Sequence, residues 1–176
     1  MAGSERVYWE NKLKENEKLL WSGAPTETGL FDPARKAVAL GEFIFAAVWV
    51  CVTLAMFASK TNGVMAVIIM ELPALLVVML PFMDARSVSN SRYAITDKRV
   101  IIRNGNDDYS MEYGPDTPVE KRSNNTVCVG AAIRIKPSQE RHVLLFHGIQ
   151  NNDKECIGVV LYTTTDPDGA VKALHS

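Results

Sequence analysis

The stretch AVALGEFIFAAVWVCVTLAMFASKTNGVMAVIIMELPALLVVMLPFM, residues 37–83, decides the architecture. It holds two apolar runs separated by the polar turn Ser59-Lys60-Thr61-Asn62-Gly63. Each run approaches the roughly 20 residues that a bilayer-spanning helix needs. The expected element is therefore a transmembrane hairpin, with helices at about residues 37–58 and 63–83, and a lipid bilayer as its first partner. Two carboxylates interrupt it, Glu42 in the first run and Glu71 near the middle of the second.

The flanking sequence is polar and charge-balanced. Residues 1–36 carry six basic and six acidic side chains, residues 37–84 one and three, and residues 85–176 twelve and eleven. Phosphate-backbone binding requires an uncompensated basic surface, so no nucleic acid is expected as a partner. Cys51, Cys128 and Cys156 have neither CxxC nor metal-ligand spacing, and they read as free thiols. No apolar core of a secretory signal occurs in the first 36 residues. Lys12, Lys14, Lys18, Arg35 and Lys36 precede the hairpin and Arg86, Arg92, Lys98, Arg99 and Arg103 follow it, whereas the turn has only Lys60. The positive-inside rule then puts both termini in the cytoplasm.

Residues 1–36 read as a cytoplasmic helix and arm. Trp9, Leu13 and Leu20 give residues 4–20 a narrow helical stripe, and Glu17-Lys18-Leu19-Leu20-Trp21-Ser22-Gly23-Ala24-Pro25 is a short extended run ended by Gly and Pro. After residue 85 the pattern changes to short β-type runs, at 92–95, 99–103, 109–113, 126–136, 142–148 and 156–163, parted by turn clusters such as Asn104-Gly105-Asn106-Asp107. A final helix starts at Thr165-Asp166-Pro167, where a capping side chain precedes a first-turn proline, and runs to Leu174. The expected fold is an α+β membrane protein: the hairpin, then at residues 85–176 a small antiparallel barrel or sandwich closed by the helix.

Two motifs suggest a family. Tyr93-Ala94-Ile95-Thr96-Asp97-Lys98-Arg99-Val100 resembles the Y-x-[IL]-T-[DN]-x-R-[VI] hairpin of bacterial pleckstrin-homology membrane proteins, and residues 17–25 are similar to the E-x-[IVL]-L-W-x-G-x-P segment found upstream in the same proteins. The resemblance implies a seven-stranded domain with a C-terminal helix, self-association and no catalytic residues. The chain departs from that pattern between Glu112 and Asn125, where Pro115, Pro118 and Glu120-Lys121-Arg122-Ser123 interrupt a smoother apolar strand. Alternation alone puts Arg99, Ile101 and Arg103 on one face of a strand and Val100 and Ile102 on the other, toward the core.

Glu71 is the sharpest candidate for chemistry. About 18 Å of helix separates it from Met83, so its carboxyl should be neutral, paired, or turned toward a protein or water-filled interior. It would hold an oligomer of hairpins together by shared hydrogen bonds, line an ion or proton path, or sit beside the carbonyl freed by Pro73. Glu42, near the cytoplasmic surface, would snorkel and pair with Lys36 or Arg35. Lys98, Arg99 and Arg103 would contact lipid phosphate in one reading, and pair with Asp97, Asp107 or Asp108 in the other. His142, His147 and His175 are too scattered for a metal site, with His147 on the solvent face of a strand, and no nucleophile, metal-binding or nucleotide-binding motif occurs. The expected function is a non-enzymatic, cofactor-free, membrane-anchored module of a bacterial inner membrane, forming a homo-oligomer and binding a protein partner. The alternatives are a small oligomeric channel or transporter subunit working through Glu71, and an anionic-lipid sensor working through Arg99 and Arg103.

Overall fold

The computed structural model describes residues 8–26, 36–57 and 64–176. The expected turn at 59–63, the start of the expected N-terminal helix at residue 4, and Arg35 lie outside the described residues. The chain divides into two compact units, Gly29–Arg86 and a second made of Met1–Thr28 with Ser87–Ser176.

The first unit contains two helices, α1 (Lys36–Phe57) and α2 (Val64–Ser89). Both are long and apolar enough to cross a membrane. Large side chains cover their outer surfaces, among them Ile44, Phe45, Val48, Ile68, Leu75, Leu76 and Met83, all exposed. The buried residues are small: Ala39, Ala46 and Thr53 recur every seven residues on α1, and Ala74 and Pro81 are seven apart on α2. Small side chains let helix backbones approach closely. Pro73 and Pro81 both lie inside α2, and neither ends it. Pro73 removes the donor that would reach the Ile69 carbonyl. At the neighbouring carbonyl, Trp49 Nε1 of α1 donates to Met70 O at 2.9 Å and ties the two helices together.

The second unit is built from eight strands among the described residues, in two antiparallel four-stranded sheets. One sheet has the order β1-β2-β3-β4 (Leu19–Gly23, Arg92–Thr96, Arg99–Asn104, Asp107–Glu112); the other runs β5-β6-β8-β7 (Val119–Lys121, Val127–Gly130, Cys156–Leu161, Ile149–Gln150). The sheets remain separate, so the barrel alternative does not form; each keeps two edge strands. One core joins them, with Tyr93, Ile95, Val100, Ile102 and Met111 from the first sheet and Val127, Val129, Val159 and Leu161 from the second. The expected alternation on β3 is observed, because Val100 and Ile102 are in this core while Ile101 lies on the opposite face under Trp9.

The C-terminal helix, α4 (Pro167–Leu174), is capped by Asp166, whose side chain accepts from the Gly169 amide at 2.9 Å. It packs on β1, β2, β5 and β6 through Ala170, Ala173 and Leu174, with Val171 half-buried. Segments before and after the hairpin are thus interlocked. Gly23 of β1 pairs with Tyr93 of β2, Pro25 bridges to Thr164, and Trp21 Nε1 donates to Asp166 at 3.1 Å.

Five expectations about local structure are corrected. Residues 8–10 are helical, but the chain then turns and becomes extended by Leu19, because Glu17 points into the unit where a longer amphipathic helix would need an apolar residue. The run 126–136 is a strand only to Gly130, whose φ of 67° ends it before a 3-10 turn at Ala131–Arg134. Residues 142–148 are not a strand, since Glu140–Leu145 forms helix α3. Its buried positions Glu140, Val143 and Leu144 follow helical spacing. The helix ends in a Schellman motif, with Gly148 N bonded to Val143 O at 2.9 Å and His147 left-handed at φ 62°. His147 is accordingly an exposed turn residue, 5.4 Å from the Tyr109 ring. Finally, the described residues form eight strands where the resemblance implies seven, and one of them, Val119–Lys121, lies just after Pro115 and Pro118 in the stretch that departs from the family pattern.

Candidate functional site

The face of β3 that carries Arg99 and Arg103 is covered by residues 8–18. Trp9 is 1% exposed and packs on Ala94 and Ile101. Tyr8 lies against the Arg103 guanidinium, 4.4 Å from its carbon to the ring centroid, and its hydroxyl donates to Asp108 at 3.1 Å. Lys12 Nζ sits 2.9 Å from Asp108, and the pairing raises the Lys12 pKa.

Arg99 has a different partner from the aspartates that its sequence neighbours offer. Its Nε donates to Glu17 Oε1 at 2.8 Å and Nη2 to Oε2 at 3.0 Å, a bidentate pair. Nη2 also donates to the Lys12 carbonyl at 3.2 Å, and Nη1 to Ser110 Oγ at 3.4 Å. The Glu17 side chain is wholly buried and that of Arg99 is 13% exposed. Thr96 Oγ1 and the Lys14 amide donate to the same carboxylate, each at 2.7 Å. Burial alone would raise the Glu17 pKa; the Arg99 fork, the Lys14 amide and the Thr96 hydroxyl outweigh it and hold the carboxyl at about 2.

Arg103 stands four residues further along the same face, about 13 Å away at roughly 3.3 Å per residue. Its Nε donates to the Gly105 carbonyl at 3.0 Å. Lys98 is exposed in the β2–β3 turn, where its amide is bound by Thr96 Oγ1 at 3.2 Å. Arg99 and Arg103 thus share one face of β3 with different partners, and Lys98 lies in the turn before it.

A second buried ion pair had no signal in sequence. Glu140, at the start of α3, is 0% exposed and accepts from Arg122 Nη1 at 2.6 Å and Asn124 Nδ2 at 2.7 Å. Arg122 Nη2 donates further to the carbonyls of Ile133 and Ile135, at 3.0 and 2.9 Å. The interaction with Glu140 holds the Arg122 pKa above its ordinary value against the opposing effect of burial. The cluster joins the β5–β6 turn to α3, and its groups are all consumed by one another.

In the helical unit, both carboxylate oxygens of Glu71 are shielded from solvent and have no hydrogen-bond partner among the described residues. Glu71 follows Met70, whose carbonyl takes the Trp49 bond, and precedes Pro73 by two residues. Glu42 is half-buried on α1, seven residues before Trp49.

An open groove of about 1080 Å³ lies between β4, the 114–118 loop, Gly130–Arg134 and the Lys154–Ile157 segment. Acidic Glu112, Asp116 and Glu155 and basic Arg134 and Lys154 all line it. Cys156 lies in it, with its thiol pKa pushed up by burial. Among the described residues no group of three His, Cys, Asp or Glu side chains could hold a metal ion. No protein-family model, curated protein or solved structure matches the chain.

Proposed function

We propose that this chain is a membrane-anchored, non-enzymatic interaction module resembling bacterial pleckstrin-homology proteins, held at the cytoplasmic face of a bacterial inner membrane and self-associating through its hairpin. The observation that carries the reading is the insertion of two apolar helices, with large exposed side chains, between paired strands of one sheet. Water would not tolerate that much contiguous apolar surface, whereas lipid favours it. Because Gly23 pairs with Tyr93, the chain leaves and returns at one end of the β1–β2 pair. Both flanks of the hairpin then lie on one side of the membrane, as two crossings allow. The basic residues on those flanks make that side the cytoplasm. A reporter enzyme active only outside the cytoplasm, fused after Ser176, is expected to stay inactive. High activity there would falsify the orientation.

Glu71 supports the self-associating part of the reading. A carboxyl without a hydrogen-bond partner inside an apolar hairpin is costly, and a polar group on a neighbouring copy would relieve it. Mass measurement of the detergent-solubilised particle is expected to give several chains for the parent and fewer for Glu71→Leu. A one-chain mass for the parent removes self-association from the proposal.

A further inference from the structure

Strand β4 closes the first sheet, and its outer edge is open. Tyr113 N donates to Lys98 O at 3.3 Å, in the same register that sets Val100 against Met111 and Ile102 against Tyr109. Bonded pairs alternate along an antiparallel ladder, so Tyr109 and Met111 turn their backbone groups toward β3, whereas Asp108, Ser110 and Glu112 turn theirs away from it. Among the described residues no strand pairs with β4 on that side. Three amides and three carbonyls thus stand in a row of about 13 Å, at roughly 3.3 Å per residue. Ser110 and Glu112 also line the open groove, together with Ile133 and Ile157, the latter 43% exposed. The edge is acidic: Asp107, Asp108, Glu112, Asp116 and Glu120 fall between residues 107 and 120, a stretch without Lys or Arg. Lys12 takes up Asp108 at 2.9 Å, but Glu112 meets Lys14 at 3.9 Å and its side chain is 82% exposed.

Resting on the interaction-module reading proposed above, we infer that the β4 edge is where the module docks its partner, and that the occupant is an extended basic peptide segment added antiparallel as a fifth strand. Main-chain bonds to Asp108, Ser110 and Glu112 hold such a strand, and its alternate side chains are read separately. Residues opposite Asp108 and Glu112 stand on the same face as those carboxylates, four apart, where Lys or Arg makes favourable cross-strand pairs. Residues between them stand on the face of Tyr109 and Met111, the side on which the groove offers Ile133 and Ile157, and apolar side chains suit them. The pattern recognised is basic, apolar, any, apolar, basic. A second copy does not fit the same edge. Antiparallel pairing of β4 with itself about Ser110 sets Asp108 against Glu112 of the other copy, and like charges directly opposite repel. The acidic side chains thus guard the edge against self-pairing and select what it accepts.

The test pans a displayed library of random peptides on the full chain in detergent, then measures the enriched sequences as synthetic peptides by fluorescence anisotropy. Enrichment of the basic, apolar, any, apolar, basic pattern is expected, with bound peptide slowing amide exchange at Ser110 and Glu112. Ser110→Pro removes an outward amide and no backbone bond to β3, at the cost of the 3.4 Å contact from Arg99 Nη1, and should abolish binding in a folded chain. Glu112→Lys, at an exposed position, should weaken binding roughly five- to tenfold. N-methylation of the peptide residue opposite Ser110 should abolish binding to the parent chain, a result that needs no folded variant. No enrichment, enrichment of acidic peptides, or binding that survives N-methylation overturns the inference. So do Ser110 and Glu112 amides already protected without peptide and released on dilution, which assign the edge to a second copy. None of these results touches the membrane orientation, which the reporter fusion tests by itself.

Discussion

Arg99→Leu is expected to destabilise the β unit by about 3–5 kcal/mol, the usual cost of removing one partner from a buried ion pair. That corresponds to a thermal midpoint lower by roughly 15 °C or more for a unit of this size. The cost falls on Glu17, whose wholly buried carboxylate would keep the Lys14 amide and the Thr96 hydroxyl but lose both guanidinium bonds. Arg99→Lys should recover only part of the loss, because an ammonium cannot reproduce the fork across both carboxylate oxygens. The same pair predicts an acid sensitivity. With Glu17 lowered from 4.5 to about 2, its contribution is complete above pH 4.5 and disappears as pH falls toward 2. At 1.36 kcal/mol per pKa unit this amounts to about 3 kcal/mol. Near-ultraviolet circular dichroism of the full chain in detergent, melted at pH 7, 4 and 3, measures both effects. A parent-like midpoint for Arg99→Leu at pH 7, or a parent whose stability does not fall between pH 4.5 and 3, contradicts this account of the pair.

Glu140→Ala is expected to cost a similar amount, about 3–5 kcal/mol. Here the stranded charge is Arg122, 11% exposed and left with two backbone carbonyls and a 3.5 Å approach to Glu120. The loss should also be local at first. Glu140 joins the β5–β6 turn to the start of α3, so amide exchange at Val143, Leu144 and Phe146 should accelerate more than at β2 and β3. The double substitution Arg122→Met/Glu140→Leu removes both charges while retaining volume, and it should recover much of the single-variant loss. Equal destabilisation in the single and double variants would mean that packing at the site, and not charge pairing, sets its stability.

Arg99 is engaged by Glu17, and Arg103 stands about 13 Å further along the strand against the Tyr8 ring. Residues 8–18 cover that face, with Trp9 buried on Ala94 and Ile101.

The two similarity motifs acquire a physical meaning together. Glu17 and Arg99 come one from each and bind each other; Lys18 N donates to Asp97 Oδ1 at 2.9 Å, and Asp97 N returns a bond to Lys18 O at 3.1 Å. Residues 17–25, an extended run of strand or arm type in sequence, supply the edge strand β1 and the partners of the β2–β3 hairpin. Their Trp21 is packed on the core and bonded to the cap of the last helix.

What could be read from residues alone was whatever depends on local order. The two long helices are legible because each apolar run is itself long enough to cross a membrane and is free of turn signals. The inward face of β3 follows from a period of two, and the last helix from Asp166 and Pro167 at its start. Local order failed at α3, where a buried Glu140 holds a position that periodicity reserves for an apolar residue, and at β5, where two prolines hide three strand residues. The partners of Arg99 and Arg122 were decided only by tertiary structure. Glu17 and Glu140 lie 82 and 18 residues from them in sequence, and a charge's partner across such distances leaves no periodic trace. The fold brings them together because each buried carboxylate is costly until a guanidinium reaches it, a condition that only the packed sheets can meet.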